Sequence, residues 1–129
     1  MAQEPYVLSP EEQATLAAHN ALASRWGSFS KPRFADPFIQ YFVSHLHEDD
    51  VVLDLGCGIA RDAELLLTRG LRYVGVDLSP AMIAVGSRAL GYWRARQRAR
   101  LMPMNMAELG FKDQSFPAFW ALMSCMHIP

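Results

Sequence analysis

The segment Asp54-Leu55-Gly56-Cys57-Gly58-Ile59-Ala60 follows the short apolar run Val51-Val52-Leu53, so it reads as a buried strand feeding a tight turn. Glycines two apart let a backbone pass very close to a ligand, and a helix beginning just beyond offers free N–H groups. Alone, the two glycines fit a plain strand-to-helix turn equally well. Asp77 changes the reading. It ends a second apolar run, Tyr73-Val74-Gly75-Val76, where a carboxylate can accept both hydroxyls of a ribose lying across the neighbouring strand end. Together these features predict a nucleoside site.

The loop separates two ligand classes. A nicotinamide dinucleotide asks for G-x-G-x-x-G or A around its pyrophosphate, whereas the sixth position here is Arg61. Asp54 stands at the strand end, where a carboxylate repels a pyrophosphate and attracts an ammonium group. The expected ligand is a nucleoside with a positive end and no phosphates. A nicotinamide-dependent oxidoreductase is the disfavoured alternative.

These residues, with YVGVDLSPAMI, LMPMNMAELGF and SFPAFWALMSCMHIP further on, resemble the class I S-adenosylmethionine-dependent methyltransferases of the small-molecule type. The likeness runs almost continuously from Val51 to Pro129. It implies S-adenosyl-L-methionine as cofactor and methyl transfer to a small-molecule acceptor by in-line attack on the sulfonium carbon. By the same resemblance, Asp54 holds the methionine amino group, and Gly56, Cys57 and Gly58 border the methionine and ribose portion. Asp77 takes the ribose hydroxyls, Leu78 and Met82 flank the adenine, and Asn105 and Met106 meet its edge. Trp120, Ala121 and Leu122 approach the sulfonium and the acceptor. Asn105 stands where the family often has an acid, and its carbonyl can still accept from the adenine amine. Ala60 replaces the third loop glycine and is expected to add a methyl group near the cofactor. The motifs assign no catalytic residue. If the acceptor must lose a proton, His127 is the candidate base.

Positioning these groups calls for alternating strands and helices. Ser9-Pro10-Glu11-Glu12 caps a helix that runs to about Arg25, and Gly27 to Pro32 break it. Asp36-Pro37 starts a second helix, with Phe38, Ile39, Phe42, Val43 and Leu46 at helical spacing. Ala63 to Arg69 is predicted helical, stopping at Gly70, and Ser79-Pro80 opens another helix carrying Met82, Ile83 and Val85. Further strands are expected at Leu101 to Met104 and Ala118 to Met123, with Pro117 at or before the start of the latter. The order predicts an α/β fold: a Rossmann-like parallel sheet with right-handed crossovers. Residues 1–48 are expected to form a helical lid segment and 49–129 the cofactor-binding core of a single domain. Trp26, Phe29 and Phe34 could line the lid, and Arg25 or Arg33 could meet the methionine carboxylate. The family's sheet has seven strands, so the last ones are expected to be missing. The fourth strand would then have an open edge able to pair with another chain. A truncated, noncatalytic subunit associating through that edge is the alternative function.

Composition agrees with a globular enzyme domain. The chain has 129 residues, 51% of them apolar and 19% charged, and a net charge of -1. That balance excludes a disordered tail and a global field drawing the chain to nucleic acid or membrane. Cys57 and Cys125 fit no metal or redox spacing, and a cytoplasmic setting with reduced thiols is expected. His19, His45 and His47 lack ligand spacing, so no metal is expected. Arg88, Arg94, Arg96, Arg98 and Arg100 read as a solvated face, with Tyr92 and Trp93 covering the sheet edge.

Overall fold

Val51–Leu55 forms strand β1, and Arg72–Asp77 forms β2 beside it in parallel, with Val52 opposite Tyr73 and Asp54 opposite Gly75. These contacts come from a computed structural model, which describes residues 7–26, 36–105, 116 and 118–120. Strand β3 (Ala99–Pro103) pairs with the far side of β2, and β4 (Ala118–Trp120) with the far side of β1. The order is β3-β2-β1-β4, all parallel. After β3 the chain crosses to the other side of β1. The carboxyl end of β1 therefore lies at the switch point of the sheet, where α/β folds open a ligand crevice.

Helices α1 (Pro10–Trp26), α2 (Asp36–Val43), α3 (Ala63–Leu67), α4 (Pro80–Ala89) and α5 (Gly91–Ala95) complete the described residues. The cap at α1 is reciprocal: Ser9 N–H donates to Glu12 Oε2 at 2.7 Å, and Glu12 N–H donates to Ser9 Oγ at 3.2 Å. One face of the sheet supplies Val52, Tyr73 and Ala99 to a core shared with Ile39, Leu66, Leu67, Leu71 and Leu90. Enclosing each of its aliphatic side chains contributes about 1.5–3 kcal/mol.

Boundaries differ from the sequence reading where local contacts decide them. Leu46 lies beyond α2, and α3 gives way to turns after Leu67, ending at Gly70 with φ +85°. Strand β3 begins two residues earlier than expected because Tyr73 N–H bonds to Arg98 O, drawing the chain into register before Leu101. Pro103 closes this edge strand, where its missing donor costs nothing to the ladder. Helix α5 was not anticipated. Its Trp93 packs on the core, but Tyr92 is 60% exposed and carries the Arg96 guanidinium 3.5 Å above its ring. The basic cluster is largely tied to backbone: Arg94 to Ser87 O, Arg96 to Tyr92 O, and Arg98 to Gly70 O and the Asp49 carboxylate.

Among the described residues no helix is long and apolar enough to cross a membrane, and no group of His, Cys, Asp or Glu could hold a metal ion. The expected lid residues Phe29, Arg33 and Phe34, the residues Pro117, Met106, Ala121, Leu122 and His127, and Cys125 all lie outside the described residues.

Candidate functional site

The two aspartates sit at the carboxyl ends of adjacent strands and are both buried, Asp54 at 5% and Asp77 at 7% exposure. Asp77 is a hub. Its Oδ2 accepts from Gly58 N–H and its Oδ1 from Ser79 N–H, each at 2.9 Å, so one carboxylate clamps the glycine loop to the loop entering α4. Each oxygen keeps a lone pair for a further donor. Ser79 is itself fully buried: its Oγ accepts from Met82 N–H at 3.2 Å, capping α4, and donates to Asn20 Oδ1 of α1. Helix α1 is thereby fastened to the site.

Three alternate residues of the loop take left-handed backbone: Gly56 (φ +67°), Gly58 (φ +56°) and Ala60 (φ +61°). Glycine adopts this conformation freely, whereas alanine does so at a cost of about 1–2 kcal/mol. Ala60 is only 3% exposed and packs with Ala63 and Leu66. Its methyl thus lies in the core rather than open to the loop, and the departure from glycine acts through the backbone. Cys57 N–H bonds to Val76 O and Gly58 N–H to Asp77, so both loop donors are already used within the protein. What the loop offers is close approach: a Cβ built on Gly58 meets nothing within 4 Å.

Asp54 has one satisfied oxygen. Tyr73 Oη donates to Oδ2 at 2.5 Å, and among the described residues Oδ1 has no hydrogen-bond partner. Burial pushes its carboxyl up to about 8, with the nearby Asp62 and Asp77 charges adding to the rise and the Tyr73 hydrogen bond opposing it. A buried carboxyl with an open oxygen and acidic neighbours fits a cationic donor. Burial, together with Asp54 and Asp77, likewise pushes the Cys57 thiol up, which makes it unreactive. We expect iodoacetamide to modify Cys57 in the folded protein about 100-fold more slowly than in urea, read by peptide mass spectrometry. Comparable rates would mean that the thiol is accessible.

Of the other residues expected at the site, Leu78 is half-buried just after Asp77, and Asn105 is half-buried beyond β3, where Met104 N–H bonds Asp77 O at 2.8 Å. Met82 is fully enclosed and presents no surface in this structure. Trp120 ends β4 with its backbone opposite Asp54. The sequence reading missed Tyr73 and Asn20 as partners of site residues. Tyr73 was legible in part: it precedes Gly75 by two, on the strand face shared with Asp54.

Similar proteins share this fold. A magnesium protoporphyrin IX methyltransferase from Synechocystis, with S-adenosylmethionine bound, superposes with a TM-score of 0.76 at 18% identity, covering 97% of this chain and 67% of that one. A geranyl diphosphate C-methyltransferase from Streptomyces coelicolor, in complex with S-adenosyl-L-homocysteine, gives 0.75 at 21% identity, covering 95% and 57%. In sequence, the sterol 4-C-methyltransferase strm-1 of Caenorhabditis elegans is 22% identical over 111 residues, which make up 78% of this chain and 33% of the relative. The chain thus spans a third of that relative and between half and two thirds of the two structures. Residues 52–129, more than half of the chain, match the family described as a methyltransferase domain. With the loop, the two strand-end aspartates and the β3-β2-β1-β4 sheet in place, the chain belongs to that methyltransferase family and has its Rossmann-like class I fold.

Proposed function

We propose that the protein binds S-adenosyl-L-methionine and transfers its methyl group to a small-molecule acceptor. The observation that carries this reading is the pair of buried strand-end carboxyls, one with an oxygen that has no hydrogen-bond partner among the described residues and the other clamping a glycine loop. When bound, the cofactor supplies a methyl group on a positively charged sulfur that is already a good leaving group. Asp77 receives the ribose hydroxyls, and Leu78 and Asn105 border the adenine, with Met82 behind them holding α4. Asp54 receives the amino group, while Gly56, Cys57 and Gly58 let the backbone approach the methionine and ribose. Met106 and Ala121 complete the site in this proposal. The chain's work is mainly to position and enclose its ligands. The acceptors of the two C-methyltransferases and the porphyrin enzyme are small molecules, which supports the same acceptor class here. Cys57 is a free thiol, in keeping with a reducing, cytoplasmic setting.

Calorimetric titration tests the cofactor step. S-adenosylmethionine and S-adenosylhomocysteine should each bind saturably at one site, and NAD should give no binding. A folded protein that binds neither adenosyl ligand, or that prefers NAD, overturns the reading.

A further inference from the structure

Tyr73 and Gly75 lie on the same side of β2, and the register sets them beside Val52 and Asp54 of β1. Tyr73 is therefore one residue pair behind Asp54. An aromatic side chain can span that diagonal only if nothing stands between. Gly75 leaves the space. A Cβ placed on it would come within 2.9 Å of Tyr73 Oη, Tyr73 Cε1 and Cys57 Sγ, closer than real Cβ contacts allow. The ring lies across the glycine, 1% exposed and packed in the core, with its hydroxyl on Asp54 Oδ2. Phenylalanine would satisfy that packing. The hydroxyl is there for the carboxyl, since a buried O–H without a partner is destabilising.

The surroundings show what the hydroxyl does. The groups that act on Asp54 are Tyr73 from β2, Asp77 at its tip, and Asp62 ahead of α3, with the Cys57 thiol also close. Both acids and the burial itself work against a charged carboxyl; the Tyr73 hydrogen bond alone favours one. The geometry points to Tyr73 as a positioning residue: seated in the notch left by Gly75, its hydroxyl holds the Asp54 carboxyl oriented to receive the cofactor's ammonium group. This role rests on the cofactor reading above.

The test compares the wild type with Tyr73→Phe and Gly75→Ala, following the Asp54 carboxyl by carbon-13 NMR against pH in ligand-free protein. Loss of the hydroxyl should raise the Asp54 midpoint by about one pH unit. Titration with S-adenosylhomocysteine at pH 7 should then show affinity about tenfold weaker, a gap that narrows as pH rises. Gly75→Ala should reproduce both effects by expelling the ring, which guards against a folding defect particular to one variant. In an Asp54→Asn background, Tyr73→Phe should have no further effect on binding. A merely structural tyrosine would lower the melting temperature and leave the midpoint and the pH profile where they were. An unchanged midpoint, with wild-type affinity, overturns this inference alone. A shifted midpoint with no S-adenosylhomocysteine binding by either protein overturns the cofactor reading, and the assigned role with it.

Discussion

Asp77→Asn is expected to remove nearly all affinity for S-adenosylhomocysteine while leaving a folded, weakened domain. The carboxylate accepts from Gly58 N–H and Ser79 N–H at 2.9 Å on opposite oxygens. An asparagine has one acceptor oxygen, so its amide group must face one of those two donors. One buried N–H is then left unsatisfied, costing about 1–3 kcal/mol of stability. Binding suffers more. In the proposed site each ribose hydroxyl donates to a carboxylate oxygen, and such bonds contribute about 1.5–3 kcal/mol apiece. Losing one and weakening the other, on a loop no longer clamped, corresponds to an affinity drop of roughly 100- to 1,000-fold. Calorimetry and thermal melting on the same sample separate the effects. Affinity within a few-fold of wild type would show that Asp77 only builds the loop.

The second large effect is one of pH. The Asp54 carboxyl is at about 8 in the folded protein, above its value of 3.8 in an open chain. Between these values the native state holds a proton that the unfolded state has lost. The stabilising contribution is therefore complete below about pH 4 and is lost as pH rises through about 8. At its steepest the slope from this one group is about 1.4 kcal/mol per pH unit. Denaturant titrations from pH 5 to 9 should show that decline, and Asp54→Asn should flatten it. Cofactor binding runs the other way. An ammonium group favours the charged carboxyl, so S-adenosylhomocysteine affinity should rise with pH up to about 8, by at most about tenfold per unit. A proton is released on binding, which makes the calorimetric heat depend on the ionisation heat of the buffer. Heats independent of the buffer at pH 7 would place the ammonium elsewhere.

How much of this was legible beforehand varies by residue. Strand-end acids and loop glycines are local signals: Asp54, Gly56, Gly58 and Asp77 declare themselves because each follows a short apolar run or defines a turn. The cap at Ser9 and Glu12, and the start of α4 at Ser79-Pro80, follow from backbone chemistry within four residues. Element ends were less legible. Strand β3 starts at Ala99 because of its neighbour's hydrogen bonds, and α5 is a five-residue helix too short for periodicity to reveal.

The sequence by itself determined the α/β order, the loop and the two acids, since propensity, periodicity and spacing are properties of neighbours along the chain. Only the tertiary structure decided what those acids are. Parallel pairing of β1 with β2 brings Tyr73 over Gly75 onto Asp54, residues 19 apart, and raises the carboxyl by enclosing it among other acids. It also turns Asp77 into a clamp on Gly58 and Ser79, and ties that clamp to Asn20, which lies 59 residues before Ser79. Burial and long-range hydrogen bonds depend on which segments meet in space. That is set by the sheet's register, which no single stretch of the chain contains.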